Sequence, residues 1–236
     1  MNVIIDNADR LWQGLLITLQ VTALGALLAV IVAFTAGIAR LSRHLVIRAP
    51  AAIFVEVFRG TSLIVQLFWF FFALPLVGIQ MSALTAGVLA LGLNEGAYAA
   101  EVVRGAISSR PKGQTEACVA LSIPPAKRMR RILIPQSIPA MLPPFGNVLV
   151  DLLKNTSLVS LVTVLDLTYE AGTIRTNTGE TGAVFLTLLV MYFILSSLLS
   201  LMMKWLERRF AIDRKTGSMR MKALSVPRPG GGGIGA

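Results

Sequence analysis

The chain has 236 residues and a formal net charge of +10, with 55% hydrophobic and only 14% charged residues. A soluble domain averages about 25% charged residues, and no soluble fold accommodates several apolar runs of about 20 residues in so short a chain. The basic residues lie in the gaps between apolar runs rather than on one exposed face, which excludes a nucleic-acid-binding reading and fits the positive-inside pattern of a membrane protein.

The N-terminus has no basic run or cleavage site ahead of the first apolar segment, so no removable signal peptide is expected. A first span is predicted over 11–39, uncharged throughout and long enough to cross a bilayer with a tilt. Arg40, Arg43, His44 and Arg48 follow, with His44 read as a solvated loop residue. The second span is predicted over 53–75. Glu56 and Arg59 stand one turn apart at its start and can pair. Arg59-Gly60-Thr61-Ser62 then has two readings, an ion-paired helix end or the shaped inner end of a pathway. The aromatic run Phe68-Trp69-Phe70-Phe71-Phe72 suits lipid or an interfacial belt, and 75–80 forms a short outer turn. A third span is predicted over 82–107. Its second half carries Asn94, Glu95, Tyr98, Glu101 and Arg104, and charges at such depth usually face the bundle interior. Glu101 and Arg104 can pair, whereas Glu95 lies deeper with no local cation.

The hydrophilic stretch 110–134 comes next. Residues 112–121 contain no proline, and Ala117, Ala120 and Leu121 form one apolar stripe of a short helix, which Ile123-Pro124-Pro125 ends. These features fit a helix shaped for a groove in a partner. They also fit a basic loop, with Lys127, Arg128, Arg130 and Arg131, that only marks the cytoplasmic side. The fourth span is predicted over 135–165, kinked or broken by Pro135, Pro139, Pro143 and Pro144. Asp151 and Lys154 within it either pair with each other or hold the two ends of a solute. Asn94, Glu95, Tyr98, Asp151, Lys154, Asn155 and Ser157 are the candidate pathway residues. The polar segment 166–182 reads as an outer loop with a short surface helix around 167–174, and a last span covers 183–203. Residues 1–210 are thus one transmembrane domain, and 211–236 a basic, glycine-rich tail expected to be disordered. No Lys-Ser/Thr follows the tail glycines and no phosphate-binding loop occurs elsewhere, so no ATP site is expected in this chain. Cys118 stands alone, which rules out an intrachain disulfide. The basic gaps place the N-terminus outside and the C-terminus in the cytoplasm.

Glu116-Ala117-Cys118, Ser122 and Ile132-Leu133-Ile134-Pro135 resemble the cytoplasmic EAA loop of ABC-importer permeases: Glu-Ala-Ala, a Gly four residues later, then Ile-x-Leu-Pro. Cys118, Ser122 and Ile134 depart from that pattern, and Ser122 departs most, because glycine adopts positive φ cheaply and serine does not. Tyr98-Ala99-Ala100-Glu101-Val102-Val103-Arg104-Gly105, Pro111-Lys112-Gly113-Gln114, Glu56-Val57-Phe58-Arg59-Gly60-Thr61-Ser62 and Leu153-Lys154-Asn155-Thr156-Ser157-Leu158 are similar to the polar amino-acid uptake branch. Gly60-Thr61-Ser62, Leu91-Gly92-Leu93-Asn94 and Pro143-Pro144-Phe145-Gly146-Asn147 look closest to permeases for ectoine and hydroxyectoine.

The resemblance implies an all-α membrane protein of the type I ABC importer permease fold, with about five transmembrane helices, in the bacterial cytoplasmic (inner) membrane. It implies an ABC ATPase dimer, an external solute-binding protein and a second permease subunit, for which the ectoine-type wording favours a different chain over another copy. ATP and Mg would sit on the ATPase, leaving this chain without cofactor, metal or catalytic role. Gly113, Glu116, Ala117, Cys118, Ser122 and Pro135 would couple it to the ATPase. Two other classes stand against this reading. A proton-coupled secondary transporter would use Glu95 or Asp151 as a relay, but five spans do not divide into inverted halves. A non-transporting scaffold has no need of prolines and carboxylates at depth.

Overall fold

The computed structural model describes residues 2–210, so the tail expected to be disordered lies outside the described residues. All regular structure among the described residues is helical. In chain order the α-helices are α1 (Asn2–Asp6), α2 (Ala8–Ala39), α3 (Leu45–Gly60), α4 (Leu63–Phe68), α5 (Ala83–Ser108), α6 (Lys112–Ala120), α7 (Pro125–Arg128), α8 (Ile134–Asn155), α9 (Leu167–Thr178) and α10 (Thr181–Phe210). Wider π-helical turns, Trp69–Ala73 and Met129–Leu133, extend α4 and join α7 to α8, and a 3-10 segment, Thr156–Val162, prolongs α8.

Helices α2 and α10 are each long and apolar enough to cross a membrane, with mean hydropathy 2.5 and 2.4 over their best windows, and two bent pairs raise the number to 4. Helix α5 has 26 residues, about 39 Å at 1.5 Å per residue, but its charged second half keeps it outside that apolar class. Of the five crossings expected, α2, α10 and the two bent pairs account for up to 4 by length and composition, and α5 is not among these. Their path differs from the expectation in two places. The second crossing, predicted as one span over 53–75, bends by 106° between α3 and the segment Leu63–Val77. Thr61 and Ser62 adopt extended backbone at the bend, ψ 153 and 134, directly after Gly60. The fourth crossing, predicted to be kinked or broken by its prolines, is not broken there: it stays helical through Pro139, Pro143 and Pro144. Pro135, Pro139 and Pro143 recur every four residues, so the lost N–H groups fall on one side and the remaining ladder carries through. The chain turns later, by 52°, ahead of α9.

Small residues hold the bundle together. Gly14, Thr18, Val21, Gly25, Ala29, Ala33 and Gly37 form one buried stripe down α2. With no hydrophobic drive between helices in lipid, such stripes let backbones approach and gain packing contacts. A Cβ on Gly37 would sit 2.7 Å from the Ala100 carbonyl oxygen of α5, and one on Gly96 only 2.7 Å from Val32 Cβ. The helix expected on the outer surface is α9, and its inner face is buried: Leu167, Ala171 and Ile174 pack with Leu11 and Val184. Asp166 caps it, its carboxylate accepting from the backbone N–H of Tyr169 at 3.0 Å and of Thr168 at 3.2 Å.

Candidate functional site

A broken helix inside a membrane leaves backbone groups that lipid cannot satisfy, so the break needs polar neighbours. Here Asn94 of α5 and Gln66 of α4 supply them. Each donates from its side-chain amide to the Phe58 carbonyl at 2.9 Å. Gln66 also donates to the Thr61 hydroxyl at 2.6 Å and accepts from Asn94 at 3.2 Å. Both amides are nearly buried, Asn94 at 5% and Gln66 at 8% exposure.

The break opens on a cavity of about 530 Å³. Thr61, Ser62, Leu63 and Ile64 form one wall, Asn94, Glu95 and Tyr98 of α5 another, and Val148, Asp151, Lys154 and Asn155 of α8 a third. Six of the seven predicted pathway residues therefore share one cavity. Ser157 is not among the lining residues; its hydroxyl donates to the Lys154 carbonyl at 2.9 Å. Thr61 and Ser62 belong to the wall, as one reading of that segment held. Leu63, Ile64 and Val148 carry no polar signal by which sequence reasoning could have found them.

Glu95 is 5% exposed and accepts a 2.9 Å hydrogen bond from the Asn155 side-chain amide. Asp151 and Lys154 make no ion pair within 4.0 Å among the described residues, and both are exposed at the cavity. The arrangement offers carboxylates, an ammonium and amide groups on facing walls, a set that can hold both ends of a zwitterion. Among the described residues no group of three or more His, Cys, Asp or Glu could hold a metal ion.

Beyond the cavity lies an ion-pair cluster. Glu101 pairs with Arg104, as expected, and also accepts from Arg40, the residue that follows α2, at 2.7 Å. The expected Glu56–Arg59 pair does not form. Arg40 reaches Glu56 at 3.3 Å instead, and the Arg59 guanidinium lies 5.2 Å from the ring centre of Tyr98. Sequence spacing within α3 could not show that α2 delivers a competing cation at the same level.

Helix α6 occupies the predicted place. Its end is a Schellman turn: the Ser122 N–H donates to the Val119 carbonyl and the Ile123 N–H to that of Cys118, each at 2.9 Å. The turn forces Ser122 to φ 53, where glycine is favoured. Cys118 is the one buried side chain of α6, at 4% exposure. It faces its own chain, whereas Glu116, Ala117, Val119, Ala120 and Leu121 face outward. Gly113 and Pro135 are exposed as well, and no atom lies within 4 Å of a Cβ built on Gly113. Arg110 braces the base of this projection, donating to the Gln136 carbonyl at 3.1 Å and the Ala106 carbonyl at 3.4 Å.

A bundle of membrane-length helices around a polar cavity, with a short helix projecting from one end, is the form of a translocation component. The family model for the binding-protein-dependent transport system inner membrane component matches residues 25–212, and the chain belongs to this family. It is 41% identical over 208 residues to the probable amino-acid ABC transporter permease protein y4tF of Sinorhizobium fredii, covering 86% of this chain and 87% of that one. It is 33% identical over 202 residues to the glutamine transport system permease protein GlnP of Escherichia coli, covering 85% and 92%. A crystal structure of an amino acid ABC transporter with histidines superposes with a TM-score of 0.81 at 32% identity, covering 87% of this chain and 96% of that one. The chain thus has the type I ABC permease fold, is a non-catalytic component of the inner membrane, and falls in a different class from the proton-coupled secondary transporter.

Proposed function

We propose that this chain is the permease subunit of an ATP-driven importer that moves a polar amino acid or amino-acid-like zwitterion into the cytoplasm by alternating access. The observation that carries the reading is the cavity at the α3–α4 break. There Glu95 and Asp151 provide negative charge for an ammonium group, and Lys154 positive charge for a carboxylate. The absence of an Asp151–Lys154 pair leaves both groups open to solute. Amino-acid substrates are supported by the relatives named for amino-acid and glutamine transport. Ectoine or hydroxyectoine is the narrower version, resting on the sequence resemblance alone.

In this reading the exposed face of α6, with Glu116 as its directional polar contact and Ala117 as its close-seating surface, enters a cleft of a cytoplasmic ATPase. Cys118, Ser122, Gly113 and Pro135 set the pose of that face. ATP and Mg bind the ATPase dimer, a second permease subunit completes the pathway, and an external solute-binding protein delivers the solute. The N-terminus lies outside and the C-terminus inside. Coupling requires contacts of α6 that differ between the two states of the ATPase.

The test is uptake by proteoliposomes holding the assembled transporter, with labelled glutamine or ectoine and ATP on the ATPase side. Uptake should require ATP and the binding protein. Asp151→Asn should lower it about tenfold, the effect of losing roughly 1.4 kcal/mol of charge pairing. Uptake driven by a proton gradient without ATP would refute the proposal.

A further inference from the structure

A second cavity, of about 720 Å³, lies at the same end of the bundle as α6, away from the candidate solute cavity. It sits where the apolar helix α2 ends and α8 begins, with Ile38, Met129 and Leu133 on its floor and Arg43, Arg128 and Arg130 on its walls. None of these three arginines has a carboxylate within 4.0 Å among the described residues; the ion pairs there engage only Arg40, Arg104, Glu56 and Glu101. The 16-residue helix α3 also starts at this cavity. His44 and Ile47 line it, and the helix has neither a side-chain cap nor an acidic residue in its first turn. An uncapped helix start carries partial positive charge and free N–H donors. The neighbouring surface is apolar: Leu45, Val46 and Ile47 are 64%, 84% and 50% exposed. Positive charge thus converges from three segments on a concave site that opens beside exposed aliphatic side chains where the apolar helix α2 ends.

We propose that this cavity binds an anionic phospholipid, its phosphodiester held by Arg43, Arg128 and Arg130 at the start of α3 and its acyl chains lying along the apolar face of Leu45 and Val46. Basic pockets between membrane helices suit such headgroups, and a volume of this size lies within the range of about 300–1,000 Å³ of small-molecule sites. The lipid would tie the α2–α3 loop to the segment following α6. Three arginines at a membrane surface should favour an anionic over a zwitterionic headgroup by about a hundredfold.

The test uses the transporter assembled with its ATPase, reconstituted in nanodiscs of equal phosphatidylglycerol and phosphatidylcholine, then stripped with mild detergent and weighed by native mass spectrometry. Wild type should retain phosphatidylglycerol in preference to phosphatidylcholine. The preference should fall by about a hundredfold in the combined Arg43→Gln, Arg128→Gln, Arg130→Gln variant. It should persist in Lys127→Gln, Arg131→Gln, which removes nearby cations outside the cavity. Equal retention of both lipids by wild type, or equal loss in the two variants, would overturn the proposal. Displacement of the lipid by millimolar inorganic phosphate would assign the site to a free anion instead and overturn the lipid assignment.

Discussion

Two glycine-to-alanine changes on the same helix should have opposite effects on stability. Gly25 and Gly37 both lie on the buried stripe of α2. In either place alanine gains helix propensity, about 1 kcal/mol. At Gly25 the new Cβ would meet Leu152 methyls at 3.5 Å, an ordinary contact, so the added methyl fits without displacement and adds dispersion contacts of about 0.1–0.2 kcal/mol each. At Gly37 the Cβ would lie 2.7 Å from the Ala100 carbonyl oxygen and 2.9 Å from Val103 Cβ. Restoring the 3.4 Å of ordinary contact requires 3.4 − 2.7 = 0.7 Å of separation between α2 and α5. The obstacle is backbone, not a flexible side chain, and a gap of that size forfeits about a quarter to a half of the local dispersion well. Overpacking costs about 1–3 kcal/mol, and against backbone the cost falls at the upper end, so after the gain in helix propensity the net effect is destabilisation by about 2 kcal/mol. Thermal unfolding of the detergent-purified protein, followed by tryptophan fluorescence, should show a raised Tm for Gly25→Ala and a lowered Tm for Gly37→Ala. Shifts of the same sign, or a neutral Gly37→Ala, would refute the claim that backbone contact between α2 and α5 sets the packing.

Two further changes test the helix break and the end of α6. Gln66→Leu removes hydrogen bonds to Phe58, Thr61 and Asn94, each worth about 0.5–1.5 kcal/mol, and should destabilise by about 2 kcal/mol in the same unfolding assay. Full stability would mean that the amide pair does not support the bend. Ser122→Gly relieves a left-handed conformation worth roughly 1–2 kcal/mol, partly offset by the greater freedom of glycine when unfolded. Differential unfolding should show a gain of about 0.5 kcal/mol, and a loss of stability would contradict the turn geometry.

Much of this organisation was legible because the signals were local. Apolar length marked the crossings, and the stripe of Ala117, Ala120 and Leu121, closed by Pro124 and Pro125, marked α6. The glycine-to-serine departure even located the left-handed turn at Ser122. What escaped was set by distant partners. The Thr61–Ser62 break persists because Asn94, far along the chain, satisfies the Phe58 carbonyl, and spacing within 53–75 cannot reveal that donor. Arg40 and Glu101, 61 residues apart, meet because α2 and α5 pack closely, and from that place Arg40 also reaches Glu56, where Arg59 was the expected partner. Cys118 was grouped with the partner-facing residues because its small size fits a close interface, yet small size fits burial against its own chain equally well.

The most direct test of the account is co-purification in detergent of this chain with its ATPase, comparing wild type with Glu116→Lys. Glu116 is exposed on α6 and has no ion-pair partner among the described residues, so reversing its charge leaves the bundle intact and alters only the projecting face. The account predicts that wild type holds the ATPase, that Glu116→Lys loses it, and that both unfold at the same temperature. Retention of the ATPase by Glu116→Lys at wild-type levels would contradict the assignment of α6 as the coupling helix.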